Sequence, residues 1–483
     1  MMPTLMPRIR APFVALTFSL TLTGCRTVGP DFYQPNPAAP SAFRHAAPAA
    51  SVASQVELPA GDEWWTLFGD SQLDTLQRSA LARSPTLAAA IARVDEARAR
   101  RGVVRSDQRP GLTVDATAQL AGESAERTVP GIGGSITSRT TGDLYRAPFN
   151  LSYELDLWGR VRRSVESADA LATAAEADLI AVRLSLAAEV AATWFQARAW
   201  SAEATVLAES IDLLKEQTAL RRSRSEAGLA NEFDLLRNQT ELAQTEAEYI
   251  GVVAIRNQTL VTLAVLAGTA PADFPADGGA LATALAPPPT IPAGLPANAI
   301  ARRPDIQAAA ARLHARTAAI GVAQAAFYPT IRLTGSAGFE SPELGAFLAR
   351  PAQFWGAGPS LTLPLLDGGR RVVQRDLAVA QAAGAEAEYR ASVLQALREV
   401  DSALIDLRRW HDQGEAQNRA LAAARDTVTL SRARYNQGLS DFLLVIEAER
   451  AVRNAARALA RNHEDRRIAT TRLIAALGGA WDN

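Results

Sequence analysis

Cysteine, histidine and lysine are almost absent from this sequence. Its 483 residues include one Cys and four His, too few for a disulfide framework or a Cys/His zinc cluster. Lys215 is the single lysine, and no glycine-rich loop precedes it, which argues against a phosphate-binding P-loop. With 50 basic against 51 acidic residues the formal net charge is −1. We therefore expect neither a resident metal nor a nucleic-acid partner, because a polyanion needs a surplus of positive charge.

Long hydrophobic runs are also missing beyond residue 24, so no membrane-spanning helix is expected. At the start of the chain, Arg8 and Arg10 precede a short apolar run that ends at Cys25, a pattern typical of a secretory signal. The position of the only Cys resembles a bacterial lipoprotein signal over residues 1–24. In that interpretation Cys25 carries a covalent lipid, and Arg26 after it favours the outer membrane. An ordinary signal peptide with a chance Cys is the alternative.

The chain contains an internal repeat. Identical residues recur at a separation of 219 in the early part of each copy and of 210 further on. The recurring pairs include Pro85 and Pro304, Pro110 and Pro329, Gly159 and Gly369, and Trp200 and Trp410. We assign two structural repeats to residues 71–270 and 300–478. A Pro-, Ala- and Ser-rich tether occupies residues 25–70, and a Pro-rich linker occupies residues 271–299.

Each repeat is predicted to contain a helix, two strands, a very long helix and a further helix. Apolar residues at steps of three or four predict the first helix, and Pro110 ends it. Alternating apolar and polar residues then predict the strands. Stretches poor in Gly and Pro predict single helices about 100 Å long. The bounds are 71–108, 111–121, 146–157, 160–227 and 231–266 in the first repeat, and 300–327, 330–340, 356–366, 370–437 and 440–477 in the second.

The predicted strands have the length and two-faced pattern of a transmembrane barrel wall. Four strands cannot close a barrel, because the smallest single-chain barrels have about eight. An open edge in lipid would leave backbone groups unpaired. Strands that span a membrane must therefore share a barrel with other copies of the chain, giving eight strands from two chains or twelve from three. The structural alternative is a water-exposed sheet with one wet face on a lipid-anchored coiled-coil rod.

Short motifs occur along nearly the whole chain. They are VGPDFYQP at 28–35, WW at 64–65, FGD at 68–70, YELDLWGR at 153–160, RPDI at 303–306, FYP at 327–329 and LPLLDGG at 363–369. Their order resembles the outer-membrane efflux factor family, the TolC-like proteins, and its lipoprotein branch serving resistance-nodulation-division (RND) pumps. The resemblance implies an α+β membrane protein. It would be a homotrimer with a twelve-stranded β-barrel, four strands per chain, continued by a twelve-helix α-barrel with a small equatorial region.

The resemblance also implies transport without catalysis. The chain would be a passive export duct for drugs, toxic small molecules or metal ions across the periplasm and outer membrane. Its partners would be a periplasmic adaptor, an inner-membrane RND-type pump and outer-membrane lipid. A type I secretion duct is the alternative within this class, and the lipoprotein signal disfavours it. We find no catalytic spacing among the histidines, and we expect no cofactor apart from the lipid on Cys25.

A periplasmic gate is predicted near the second long helix. Leu443, Glu447 and Arg450 follow one another at steps of four and three, so they share one helix face. In the family the corresponding helix carries Leu, an acid and Arg at this spacing, and three copies narrow the periplasmic end. Here the acid is Glu where Asp is common. A surface salt bridge between Glu447 and Arg450 is the simpler alternative.

Two further groups of residues complete the predicted sites. Turns at the far tip, where each long helix ends, would dock the adaptor; their residues are Gly228, Leu229, Gly438 and Leu439. Charged residues of the strands are expected to face the barrel lumen; they are Asp115, Glu154, Asp156 and Arg332. The slight acidic bias of this second group would favour cations.

Overall fold

The computed structural model describes residues 27–35, 43–45, 63–122, 141–227, 231–275, 287–289 and 298–479. The predicted signal peptide, Cys25, Gly228 and Leu229 lie outside the described residues. The chain divides into two compact units. The first consists of Met1–Pro30, Ser106–Ser164 and Ala318–Arg375, and the second of Asp31–Arg105, Val165–Thr317 and Asp376–Asn483.

The first unit contains an antiparallel sheet. Its strands are β1 (Gly111–Val114), β2 (Thr117–Gly122), β3 (Thr141–Leu155), β4 (Thr330–Ser341) and β5 (Gln353–Thr362). β3 pairs with β4, and β4 pairs with β5. β1 and β2 both pair with β3, so the five segments occupy four strand positions. Short 3-10 helices at Leu344–Ala346 and Arg350–Ala352 lie between β4 and β5.

The strand predicted over 111–121 is divided into β1 and β2. The two segments keep one register on β3, with Val114 opposite Phe149 and Thr117 opposite Arg146. Between them, the Asp115 amide donates to the Pro148 carbonyl at 3.3 Å. Pro148 has no amide N–H with which to return the hydrogen bond. The missing bond interrupts the ladder without shifting it.

The other strand bounds differ from the prediction at their ends. β3 ends at Leu155 rather than at residue 157, because Asp156 accepts hydrogen bonds from the amides that begin the next helix. β5 covers Gln353–Thr362 rather than 356–366.

The helices are α1 (Ser71–Arg83), α2 (Pro85–Ser106), α3 (Arg160–Glu226), α4 (Glu232–Leu266), α5 (Asn298–Ala301), α6 (Pro304–Ala325), α7 (Arg370–Asn436) and α8 (Leu443–Ala476). α3 and α7 each contain 67 residues, about 100 Å of helix. Gly159 and Gly369 precede them with φ of 82° and 85°, a conformation that glycine adopts without strain. Both ends of α3 and α7 are related by the offset of 210 found in the sequence.

Two helices predicted as continuous are broken in front of a proline. The helix predicted over 71–108 is α1 and α2, and the helix over 300–327 is α5 and α6. Ser84 adopts an extended ψ of 122° before Pro85, because the proline ring disfavours a helical conformation in the preceding residue. Pro304 likewise begins α6 at a position where its missing N–H costs nothing.

Part of the predicted tether belongs to the core of the second unit. Trp64, Trp65 and Phe68 form a 3-10 helix and are 3, 1 and 4% exposed. Phe68 packs on Phe195 of α3, with ring centroids 4.9 Å apart. Large aromatic side chains bury too much apolar area to remain in a solvated tether. Residues 25–70 are therefore not one extended segment.

One described helix, α4, is long and apolar enough to cross a membrane by length and composition alone. A single such helix is weak support for a span, because core helices of water-soluble proteins meet the same test. Ile250, Val261 and Val265 are exposed on α4. This helix thus carries apolar side chains that its own chain leaves uncovered.

Candidate functional site

The sheet of the first unit has one polar and one apolar face. Side chains in one registered row share a face, because successive residues of a strand point to opposite sides. The polar rows include Thr113, Asn150 and Ser336, and also Glu154, Arg332 and Ser360. The apolar rows include Leu112 and Leu151, also Val114, Phe149, Ala337 and Trp355, and also Leu155, Ile331 and Leu361.

The apolar face is open in the single chain. Leu112, Trp355 and Leu361 are 65, 83 and 65% exposed. Leaving apolar surface in contact with water costs about 25 cal/mol of free energy for each Å². Apolar-out and polar-in alternation is the pattern of a barrel wall in lipid.

Asp115 lies on the polar face, where the sequence places a lumen residue. Asn150 Nδ2 donates to Asp115 Oδ2 at 2.9 Å, and Ser336 Oγ donates to Asn150 Oδ1 at 3.0 Å. These contacts link three polar side chains across the sheet, from Asp115, between β1 and β2, to Ser336 of β4. The carboxylate of Asp115 remains exposed.

Glu154 and Arg332 are also brought together on the polar face. Their side chains form an ion pair at 3.5 Å, and Arg160 donates to both Glu154 oxygens at 2.7 and 3.0 Å. The charge of Glu154 is thus matched by two guanidinium groups. Arg332 stays 56% exposed in its side chain.

Asp156 lies beyond the end of β3, outside the strand in which it was predicted. Its carboxylate accepts hydrogen bonds from the amides of Val161 and Arg162 at 3.0 and 2.8 Å. It also pairs with the Arg162 side chain at 3.2 Å. A carboxylate at a helix N-terminus satisfies free amides and the helix dipole. Asp156 therefore fixes the start of α3.

The three predicted gate residues lie on α8, with Glu447 and Arg450 exposed and Leu443 half-buried. Arg450 forms an ion pair with Glu241 of α4. Arg453, one turn further along α8, reaches the same carboxylate at 2.5 Å. The Glu241 side chain is 4% exposed. The arginine assigned to the gate is therefore bound to a neighbouring helix of its own chain.

This contact keeps both partners charged. Burial disfavours the Glu241 carboxylate, but hydrogen bonds from Arg450 and Arg453 outweigh it and lower the pKa of Glu241 below its ordinary 4.5. The hydrogen bond to Glu241 raises the pKa of Arg450, and the nearby Glu447 adds to the effect. At neutral pH the pair is held by full charges.

The turn after α7 presents one of the predicted docking residues. The amides of Gly438 and Leu439 donate to the carbonyls of Tyr435 and Arg434, each at 2.9 Å, which ends α7. Leu439 is 66% exposed. Below it, Phe442 is 2% exposed, and the Arg221 guanidinium lies 3.1 Å from its ring centroid. The turn is thus anchored on α3 and displays an apolar side chain.

Sequence reasoning missed the acids that bind the arginines of α8. Glu241 is one, and Glu203 is another: its side chain is fully buried and pairs with Arg457 at 2.5 Å and also with Arg461. The separation of Glu241 and Arg450 is 209, one less than the repeat offset. α4 and α8 are the equivalent last helices of the two repeats. An expectation that equivalent helices pack against each other could have located this contact.

Among the residues that the structure describes, no group of three or more His, Cys, Asp and Glu side chains is arranged to hold a metal ion. The histidine of α6 lies in a packing contact. His314 Nε2 is 2.9 Å from Glu166 Oε1, and its ring stacks on Phe32 with centroids 4.4 Å apart.

A sheet with one apolar and one polar face, on a chain with helices of 67 residues, is the architecture of an outer-membrane channel protein. Comparison with known proteins agrees. A family model described as outer membrane efflux protein matches residues 76–269 and 295–479. The chain belongs to the outer membrane efflux protein family, whose members are channel proteins rather than enzymes. It is an outer-membrane component of an efflux system.

Individual relatives span almost the entire chain. Outer membrane protein OprJ of Pseudomonas aeruginosa is 31% identical over 477 residues, 97% of this chain and 95% of OprJ. The toluene efflux pump outer membrane protein TtgC of Pseudomonas putida is 30% identical over 464 residues, 95% of this chain and 93% of TtgC. The solved structure of the outer-membrane channel OprN matches with a TM-score of 0.82 at 31% identity, covering 94% of this chain and all of OprN.

Proposed function

We propose that three copies of this chain assemble into a passive export duct for drugs, other toxic small molecules or metal ions. The observation that supports it is a four-position sheet with segregated faces, whose two edges, β5 on one side and β1 with β2 on the other, pair with no further strand among the described residues. In lipid each unpaired backbone group costs several kcal/mol. Pairing with further copies removes that cost.

The strand directions allow identical chains to close a barrel. Because each strand is antiparallel to its neighbour, β5 runs antiparallel to β1. The β5 edge of one chain can therefore join the β1–β2 edge of the next in an all-antiparallel wall. Three chains give twelve strands, an even number as in bacterial barrels. The polar rows then line the lumen, and the apolar rows face lipid.

The long helices continue the duct through the periplasm as a twelve-helix barrel. The turn displaying Leu439, together with the turn at Gly228 and Leu229, docks a periplasmic adaptor that joins an inner-membrane RND-type pump. Leu443, Glu447 and Arg450 from three chains narrow the periplasmic end. A covalent lipid on Cys25 anchors each chain to the outer membrane. Energy for export comes from the pump, and the duct makes and breaks no bonds.

Mass and conductance of the purified protein test this proposal together. We expect a mass of three mature chains in detergent, bands that separate to monomers only on heating, and stepwise ion conductance in planar bilayers. A lipid-anchored rod would give no conductance. A monomer in detergent, or bilayers that remain insulating with the assembled protein, would refute the duct.

A further inference from the structure

At one end of the polar face of the sheet, a cation, an acid and an aromatic ring are in contact. Arg146 of β3 lies opposite Glu340 of β4, and Arg146 Nε is 3.1 Å from Glu340 Oε2. The Arg146 guanidinium also lies over the ring of Phe354, with Cζ 5.2 Å from the ring centroid. Phe354 belongs to β5, so the arginine side chain reaches across β4. We call Arg146, Glu340 and Phe354 the arginine shelf.

The arginine shelf brings apolar side chains to a face that is otherwise polar. Phe354 lies two residues before Gly356, whose row is polar, so both residues point to the same side of the sheet. Among the strand residues that the structure describes, only three apolar side chains larger than alanine lie on this face; they are Leu144, Pro148 and Phe354. Leu144 and Pro148 are the neighbours of Arg146 on that face of β3. The apolar side chains of the polar face are therefore concentrated around Arg146.

The arginine shelf has an accessible surface. The side chains of Arg146 and Glu340 are 47 and 44% exposed, and Phe354 is half-buried. Gly338 lies opposite Phe354 on β4 and places no side chain beside the guanidinium. A guanidinium is planar, and Phe354 covers one of its two faces. Since nearly half of the Arg146 side chain stays exposed, the opposite face of the guanidinium is open.

We propose that the arginine shelf is a binding site for planar aromatic compounds. A guanidinium stacks on aromatic faces, so a flat ring can lie on the open face of Arg146 while Phe354 supports the other face. The ion pair with Glu340 holds the guanidinium plane in place and balances its charge. Aromaticity and flatness rather than net charge would therefore select the ligand, and Leu144 would contact its edge.

The position of the arginine shelf on the sheet gives this binding a role in export, which rests on the proposed function. Glu340 is the last residue but one of β4, and Phe354 is the second residue of β5. α3 and α7 begin after the opposite ends of β3 and β5. In the proposed duct the shelf therefore lies at the outer mouth of the lumen. Binding in a pore must be weak enough for release, and a single stacked ring meets that condition.

Saturation-transfer NMR on the purified full-length protein in detergent tests the arginine shelf. The first probe is 2-naphthoate, and the second is decahydro-2-naphthoate, which has the same charge and a saturated ring system. Signals from protein-free micelles are subtracted for both probes. We expect the parent protein to bind 2-naphthoate about threefold more tightly than the saturated probe, because only a flat aromatic ring stacks on the guanidinium.

Two variants separate stacking from charge and from apolar bulk. Arg146→Lys keeps the positive charge but loses the planar face, and Phe354→Leu keeps an apolar side chain but loses the ring. Each should abolish the preference for 2-naphthoate. Arg350→Lys, at an exposed arginine between β4 and β5, and Phe149→Leu, at an exposed position on the apolar face, are the matched controls and should keep the parent preference.

Equal binding of the two probes by the parent protein would overturn the inference, and so would a preference that survives in both Arg146→Lys and Phe354→Leu. Binding is measured without current, so conductance in planar bilayers separates the shelf from the duct. If the parent protein conducts but shows no preference, the shelf is wrong and the duct stands. If it shows a preference that both variants abolish but does not conduct, the shelf stands as a binding site and the duct is wrong.

Discussion

Arg450 of α8 forms an ion pair with Glu241 of α4, 209 positions earlier in the chain. The sequence suggested Glu447, three residues away, as its partner. The carboxylate of Glu241 is buried and also binds Arg453. In the proposed duct, a movement of α8 that opened the periplasmic end would therefore either break this contact or move α4 with it.

Replacing Glu447 and Arg450 together with alanine should increase single-channel conductance. If contacts of Glu447 and Arg450 between three neighbouring chains each favour the closed form by about 0.3–0.5 kcal/mol, their loss of about 1 kcal/mol raises the open-to-closed ratio about fivefold. Planar-bilayer recordings measure this directly. Glu386→Ala with Arg390→Ala, an exposed pair on α7, is the control. If the two double variants had the same conductance, the assignment of Leu443, Glu447 and Arg450 to a gate would be wrong.

Glu241→Gln should lower the free energy of unfolding by about 3 kcal/mol, because it leaves the buried Arg453 without its charged partner. Glu246→Gln on the same helix breaks only the exposed pair with Lys215 and should cost less than about 0.5 kcal/mol. Chemical denaturation in detergent compares the two variants with the parent protein.

The pH dependence gives a second test of Glu241. Its pKa is lowered in the folded chain, so its contribution is complete above the ordinary 4.5 and is lost as pH falls through the folded value. The difference between the parent protein and Glu241→Gln should stay constant from pH 8 to about 5 and shrink in more acidic solution. A difference that grew on acidification would contradict the ion pair.

The sequence predicted local structure better than contacts between distant helices. The alternation of apolar and polar residues predicted where the strands lie and which of their side chains share a face, because this pattern depends only on residues close together in the sequence. The predictions of single helices over 71–108 and 300–327 were wrong at Pro85 and Pro304, because apolar spacing at steps of three or four continues across both prolines. Glu241 could not be located from its own neighbours, because only helix packing brings α4 beside α8.

Burial in the second unit also escaped sequence reasoning. Asp70 caps α1 by accepting hydrogen bonds from the amides of Gln72 and Leu73. It also accepts from Trp194 Nε1 at 2.8 Å, which ties the end of the supposed tether to α3. Composition alone assigned residues 25–70 to a solvated segment, since the two tryptophans there are a small part of a Pro- and Ala-rich stretch.

Glu464 should show a pH dependence of opposite sign to that of Glu241. Burial raises the pKa of Glu464 above its ordinary 4.5, although Arg467 and Arg198 oppose the shift. As pH rises above 4.5 the unfolded chain loses this proton while the folded chain keeps it, so stability falls by up to about 1.4 kcal/mol per pH unit until the folded pKa is reached. Glu464→Gln should remove this slope in denaturation series. An unchanged slope would show that Glu464 is ionised in the folded chain.

Gly338→Ala should disrupt the pairing of β3 with β4. An added β-carbon would lie 2.2 Å from the Ala147 carbonyl oxygen and 2.7 Å from Pro148 Cα, so the backbone of β3 would have to move. We expect a large loss of heat-resistant oligomers, measured on gels of outer membranes. Gly356→Ala on β5, with no atom within 4 Å of its added β-carbon, should assemble normally. Normal assembly of Gly338→Ala would contradict the register of Pro148 with Gly338.

Asp115→Asn and Arg332→Gln should shift ion selectivity in opposite directions. Both side chains lie on the polar face and are exposed, so each places its charge in the lumen if the sheets close around that face. Charges that line a narrow pore attract ions of opposite sign. Asp115→Asn should therefore lower cation preference, and Arg332→Gln should raise it. Reversal potentials in a salt gradient measure both effects, with the neutral change Thr334→Ser on the same face as control. Ion selectivity that is unchanged in both variants would place the polar face outside the conducting path and would contradict the proposed lumen.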